Sequence, residues 1–113
     1  MMTISPDNAV FTVVAILKVK PEDQGKFLEA FKASIEWMRK REGFVAACLH
    51  KSVDGKTILN YLQWRSAADF DAYINRPSRS QFEREFLDLL AAQGYAPPDR
   101  SPYEVVLLAG KSN

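Results

Sequence analysis

The residues best equipped for chemistry lie in one short run, Asn60-Tyr61-Leu62-Gln63-Trp64. In an extended segment alternate side chains share a face, so Ile58, Asn60, Leu62 and Trp64 point the same way. Asparagine is disfavoured in strands, and here its same-face neighbours are Ile58 and Leu62. A carboxamide on a buried face must find hydrogen bonds or cost about 1–3 kcal/mol. Two readings follow. Asn60 is a bonded core amide tying strand to helix, or it is a polar anchor in an apolar cavity, with Trp64 as aromatic wall and indole N–H donor. Cys48 and His50, two apart on a strand, share a face. No acid or helix N-terminus orients them, and a free cysteine is more often a small hydrophobe. Neither a G-x-S-x-G elbow, a phosphate-binding Walker loop nor a glycine-rich dinucleotide fingerprint occurs, and the five glycines are widely spaced.

Composition narrows the chemistry further. The 113 residues suffice for one domain, with its core over about residues 10–110, and 47% hydrophobic with 26% charged residues is the balance of a globular chain. Fifteen Lys and Arg against fourteen Asp and Glu leave a net charge of +1, with no basic stripe to attract nucleic acid. One cysteine and one histidine exclude an internal disulfide, a cysteine-rich zinc cluster, a two-histidine iron centre and iron–sulfur clusters. The apolar stretch Ala9 to Leu17 is about half a membrane span. No secretory signal is visible in the first eight residues, so the expectation is a cytoplasmic protein with no membrane partner.

The elements that must position Asn60 follow from periodicity. Phe11 to Val19 reads as a strand. Pro21 suits the first turn of a helix, with Glu22 and Asp23 at its positive end. Phe27, Leu28, Phe31, Ile35 and Met38 then recur at helical spacing, and Gly43 can stop the run. Phe44 to Ser52 and Thr57 to Trp64 flank Val53-Asp54-Gly55-Lys56, a hairpin signal. A strict Asp54-Gly55 turn pairs Leu49 with Asn60 and sends His50 to the opposite face, whereas a bulged loop brings His50 to the Asn60 side. Ser66 to Asp69 reads as a capping box opening a short helix that Pro77 breaks. Ser80 to Glu83 opens another, bearing Phe82, Phe86, Leu89 and Leu90. Tyr103 to Ala109 is the expected last strand.

The order is therefore β-α-β-β-α-β, an α+β, ferredoxin-like arrangement with helices on one face of a four-stranded antiparallel sheet. Helices cover one side only, yet the strands Phe11 to Val19, Leu59 to Trp64 and Val105 to Leu108 are apolar on both. An uncovered apolar sheet exceeds the patch a monomer tolerates, so the expectation is a homodimer packing sheet on sheet into a shared barrel.

The stretch GFVAACLHKSVDGKTILNYLQW, Gly43 to Trp64, resembles the antibiotic biosynthesis monooxygenase family of small dimeric α+β-barrel proteins. The resemblance covers most of the chain and is strongest from Gly43 through Arg84. Its specific feature is the asparagine and tryptophan of NYLQW. By this resemblance Asn60 and Trp64 match residues implicated in oxygenation, Arg84 matches an arginine on the second helical segment, and His50 matches a strand histidine without an assigned role. Two positions depart from the pattern. A pocket tyrosine of the family falls on Phe70, with Tyr73 about one turn later able to restore a hydroxyl. An asparagine that relatives place in the first strand falls on Ala15.

The resemblance implies a cofactor-free oxygenation of a small aromatic polycyclic or quinol substrate by O2, in which the deprotonated substrate supplies the electron. The protein then stabilises an enolate or phenolate and excludes water. Asn60 and Trp64 would donate to the oxyanion, and Arg84 would hold an anionic group at the mouth. Phe27, Phe31, Phe70 and Phe86 would wall a flat ring. A haem-degrading relative would need an axial histidine in the second helical region, and Asp69 to Leu90 contains none. The competing function is a non-catalytic dimeric barrel, a ligand-binding or stress-related module in which Asn60 only binds and orients.

Overall fold

The computed structural model describes residues 2–76 and 81–112. Strand β1 (Phe11–Lys18) leads through a 3-10 turn at Pro21–Asp23 into helix α1 (Gln24–Met38). Strands β2 (Phe44–Lys51) and β3 (Thr57–Trp64) follow, then helices α2 (Ala67–Ile74) and α3 (Gln81–Ala92), and strand β4 (Asp99–Tyr103). All pairings are antiparallel, in the sheet order β2-β3-β1-β4. The ferredoxin-like reading holds.

Period-two alternation sets the faces. Val13, Ala15 and Leu17 of β1 and Ile58, Asn60, Leu62 and Trp64 of β3 are buried, on the side that the helices cover. Gly55, at φ +81°, permits the turn between β2 and β3. The Ser52 hydroxyl closes that loop by accepting from the N–H groups of Lys56 (3.1 Å) and Thr57 (2.8 Å). Leu49 pairs with Asn60 and His50 with Leu59, so the strict register is the one observed. Nearer the start of β2, Phe44 pairs with Trp64 and Ala46 with Gln63, leaving Val45 as a bulge.

Gly43 needs to be glycine. Its φ is +84°, and a Cβ there would lie 2.4 Å from the Asp69 side chain. Asp69 is fixed by Arg65, whose Nε donates to Oδ2 at 2.7 Å and Nη2 to Oδ1 at 2.9 Å. The backbone N–H of Asp69 donates to Ser66 Oγ at 3.1 Å, so the first expected helix cap is present. The proposed second cap at Ser80, and the break at Pro77, lie outside the described residues.

The last strand lies earlier than the sequence pattern implied. It is Asp99–Tyr103, not Tyr103 to Ala109, because a strand forms where a partner edge exists. Thr12 to Ile16 pair with Tyr103 to Asp99, and past Tyr103 the chain runs beyond the end of β1. Pro102 is tolerated because β4 is an edge strand. The apolar residues Val106, Leu107 and Leu108 are consequently outside the sheet and 62–87% exposed.

The helix-side core divides in two. Leu17, Val19, Phe27, Phe31, Ile58, Phe86 and Leu90 pack as one cluster, and Val13, Met38, Leu62, Trp64 and Tyr73 as another. The opposite sheet face carries the half-buried Val14, Ile16, Leu59 and Tyr61, and none of the described helices lies over it.

Candidate functional site

Asn60 occupies the seam between the two clusters. Ile58 on one side of it belongs to the first, and Leu62 on the other to the second. Ala15 is its cross-strand partner, and Arg100 of β4 pairs with Ala15 from the far side. A methyl group therefore separates the asparagine from the arginine, and the short side chain leaves a cleft above it. Asn60, Ala15, Leu62, Phe31, Ser34, Met38, Phe86, Leu87, Glu83 and Arg100 line this cleft, which encloses about 30 Å³. That is roughly the share of one water molecule in the liquid.

Asn60 is 2% exposed, and its Oδ1 has no hydrogen-bond partner among the described residues. Of the two readings of this amide, the core asparagine would need a bond to this oxygen, and no described residue supplies one. An unanswered buried acceptor costs about 1–3 kcal/mol, a cost that a ligand's O–H would relieve.

Trp64 lies deeper along the same face, with no exposed surface and an Nε1–H that also lacks a partner among the described residues. Its neighbours are aromatic, with ring centroids 5.6 Å away at Phe44, 5.9 Å at Phe70 and 5.1 Å at Tyr73. Met38 and Leu62 belong to this cluster and also line the Asn60 cleft, so they partition the two. Beyond Tyr73, the Arg76 guanidinium lies 4.2 Å from the Tyr73 ring centroid and 4.5 Å from that of Trp37. Arg76 forms an ion pair with Glu83.

The structure thus brings Phe31 to Asn60, and Phe70 and Tyr73 to Trp64, while side chains partition the two groups. Arg84 is exposed on α3 and is not part of the cleft lining; the arginine of that lining is Arg100. His50 is exposed on the face away from the helices, its ring Nδ1 3.1 Å from the Cys48 carbonyl oxygen and Nε2 3.8 Å from Cys48 Sγ. It does not share the cleft with Asn60. Sequence reasoning missed Glu83 and Arg100. Glu83 was legible, since it lies three residues before Phe86 and seven before Leu90, on the apolar face of α3. Arg100 carried no signal, because the strand that places it was expected elsewhere.

A larger hollow, about 640 Å³, lies between the N-terminal segment and Pro102–Val105, with Thr12 and Gln63 of the uncovered face in its lining. Gln63 is 1% exposed and its Nε2 donates to the Thr3 carbonyl at 2.7 Å. Among the described residues no three His, Cys, Asp or Glu side chains gather as metal ligands, and no helix is long and apolar enough to cross a membrane.

Comparison with known proteins adds an independent finding. Residues 10–92 match the family described as antibiotic biosynthesis monooxygenase. Over 73 residues the chain is 42% identical to the tetracenomycin-F1 monooxygenase of Streptomyces glaucescens, a match spanning 64% of this chain and 65% of that protein. Among solved structures, the ActVA-Orf6 monooxygenase of Streptomyces coelicolor, in complex with nanaomycin D, superposes with a TM-score of 0.71 at 24% identity, covering 96% of this chain and all of the other. An anthrone oxidase-like protein superposes with a TM-score of 0.77 at 22% identity, over 94% of this chain and 48% of that one. At these identities the structural matches speak for the fold.

Proposed function

This chain belongs to the antibiotic biosynthesis monooxygenase family, and on that premise we propose that it is a monooxygenase oxidising an electron-rich polycyclic phenol, an anthrone or quinol, to a quinone with O2. No resident cofactor takes part in this reading. The single observation that supports it is the buried Asn60 amide with an unanswered oxygen, set in a cleft between two apolar clusters. An amide carries both an acceptor and two donors. Its oxygen can accept from a substrate phenol, and its N–H group can donate to the neighbouring oxygen as that becomes an enolate. The electron-rich anion then reduces O2 by one electron, the two radicals combine, and loss of water leaves the quinone. Asn60 acts by holding the developing charge in a site from which water is excluded.

Ligand pockets for ring systems span about 300 Å³ or more. A substrate therefore enters this cleft by displacing Met38, Phe31 and Phe86. Methionine is the most adaptable of these side chains, and its place in the partition lets a ring reach toward the Trp64 indole. Trp64 is then the second donor, Phe70 and Tyr73 form the wall beyond it, and Phe31 the wall on the near side. Arg84 and His50 are left with peripheral roles, at the mouth and at the subunit interface respectively.

The active form in this reading is a homodimer, the whole chain acting as one domain and closing its uncovered sheet face against a second copy. Half-buried Val14, Ile16, Leu59 and Tyr61, together with the exposed Val106, Leu107 and Leu108, support this. The exposed free thiol of Cys48 suits a reducing, cytoplasmic setting.

The test is oxygen uptake over a panel of anthrones and hydroquinones, dithranol among them, with quinone formation followed by absorbance. Turnover by the wild type, and a loss of about tenfold to a thousandfold in kcat for Asn60→Ala, is the expected result. Ring binding without oxygen uptake would instead favour a non-catalytic binding module.

A further inference from the structure

We infer that Glu83 is the proton acceptor of the Asn60 cleft, a role that rests on the oxidation proposed above and supplies the base that it requires. An anthrone or quinol reacts with O2 as its anion, so a proton must first leave carbon or oxygen. Glu83 is the carboxylate in the lining of the cleft and is 9% exposed. Carboxylates are seldom buried so far without a partner or a task.

Its surroundings hold it in place. Arg76, at the end of α2, pairs with it, and both side chains are 11–14% exposed. Arg76 is itself held against the rings of Trp37 and Tyr73. The guanidinium therefore holds the carboxylate at a fixed place in the lining of the cleft. Among the described residues, Arg100 of β4 shares the lining with it, and Arg76 meets it through the ion pair. From α1 come Phe31, Ser34 and Met38, and from β3 Asn60 and Leu62. A tie between α2 and α3 could be made on the surface, whereas this pair has its acid in the lining of the cleft.

The step balances as follows. The C–H or O–H bond of the substrate breaks, its proton forms an O–H bond on Glu83, and the electron pair remains on the ring as enolate or phenolate beside Asn60. One electron passes to O2, and the resulting superoxide and ring radical join as a peroxide. The C–H bond remaining at the peroxide-bearing carbon then breaks, its electron pair forming the C=O of the quinone as the O–O bond breaks, and the departing oxygen leaves as water with the proton held by Glu83 and the proton released from that carbon. Glu83 is regenerated as carboxylate.

The experiment compares wild type with Glu83→Gln from about pH 6 to pH 10, the range in which a free phenol ionises. Stopped-flow oxygen uptake and ring binding, followed through tryptophan fluorescence, give kcat and affinity separately. The expected result is a loss of about 10²–10⁴ in kcat near neutrality with affinity retained, the gap closing as the pH rises and the substrate ionises unaided. Glu83→Asp should recover part of the rate and the wild-type pH dependence. An equal loss at every pH, or no loss, overturns the assignment. If Glu83→Gln does not fold, Glu83→Asp decides. A lower kcat near neutrality with ring affinity retained, the gap closing as the pH rises, supports the assignment, and an unchanged rate or an equal loss at every pH overturns it. A wild type that consumes no oxygen with any ring defeats the oxidation itself and this inference with it. A turning-over wild type matched by Glu83→Gln defeats only the role of Glu83.

Discussion

Ala15 and Asn60 face each other across the β1–β3 ladder, and the cleft exists because one of them is a methyl group. Ala15→Val should fill the space beside the amide while leaving the sheet intact. Overpacking of this kind costs about 1–3 kcal/mol, so the variant should fold, with ring affinity reduced by tenfold or more. Fluorescence titration beside a thermal melt reads both quantities.

Asn60→Leu separates stability from activity. It removes the unanswered acceptor and joins the two apolar clusters, so the melting temperature should rise or hold. Relief of an unpaired buried polar group is worth about 1–3 kcal/mol. Oxygen uptake should fall at least as far as in Asn60→Ala. A Leu variant that is both less stable and fully active would contradict the assigned place of the amide.

Gly43→Ala should destabilise strongly. The residue adopts a left-handed φ of +84°, and the new Cβ would meet Asp69 at 2.4 Å. Strain at such positions costs about 1–3 kcal/mol, and here the clash adds to it because Arg65 and Ser66 restrain Asp69. Chemical denaturation checks the size of the loss.

Much of this arrangement was legible in the residues, and the gaps have physical reasons. The first strand follows from its apolar run, the next two from apolar runs flanking an Asp-Gly turn, and α1 from Phe27, Phe31 and Met38 recurring on one face. Asn60 stood out because an amide was set between Ile58 and Leu62. The position of β4 was not legible. Asp99-Arg100-Ser101-Pro102-Tyr103 has no strand preference and pairs only because the edge of β1 is free, a tertiary cause that overrides local pattern. Arg100 went unnoticed for the same reason. The side of the sheet taken by His50 depended on the parity of a loop, which only the register resolves.

Acid should loosen the fold through Asp69. Hydrogen bonds from Arg65 hold its carboxyl below the ordinary value of 3.8. Asp54 is lowered likewise, chiefly by the backbone N–H of Lys56 at 3.0 Å. For a carboxyl with a depressed value, the contribution to stability is complete above the unfolded value and is lost as pH falls through the folded one. Melting temperature should therefore decline progressively below about pH 4. Asp69→Asn should melt lower than wild type near neutrality and lose less on acidification.

The uncovered sheet face predicts self-association. Val14→Arg places a charge among Ile16, Leu59 and Tyr61 without touching the helix side. Light scattering should give twice 12.8 kDa for the wild type and a single chain mass for the variant. A wild type that stays a single chain at high concentration would refute the dimer.

Val45 is one residue more than the ladder can accommodate, and its effect reaches the indole. Upstream of it the alternation of β2 is reversed, which brings the Phe44 ring to the helix side to meet Trp64 edge-on at 5.6 Å. Excising Val45 would set Phe44 directly after Ala46 in regular alternation, still opposite Trp64 on the helix side and with the rest of the hairpin in register. The tryptophan would keep its three flanking rings, so a single-codon deletion should spare both the inner end of the chamber and the amide at its centre.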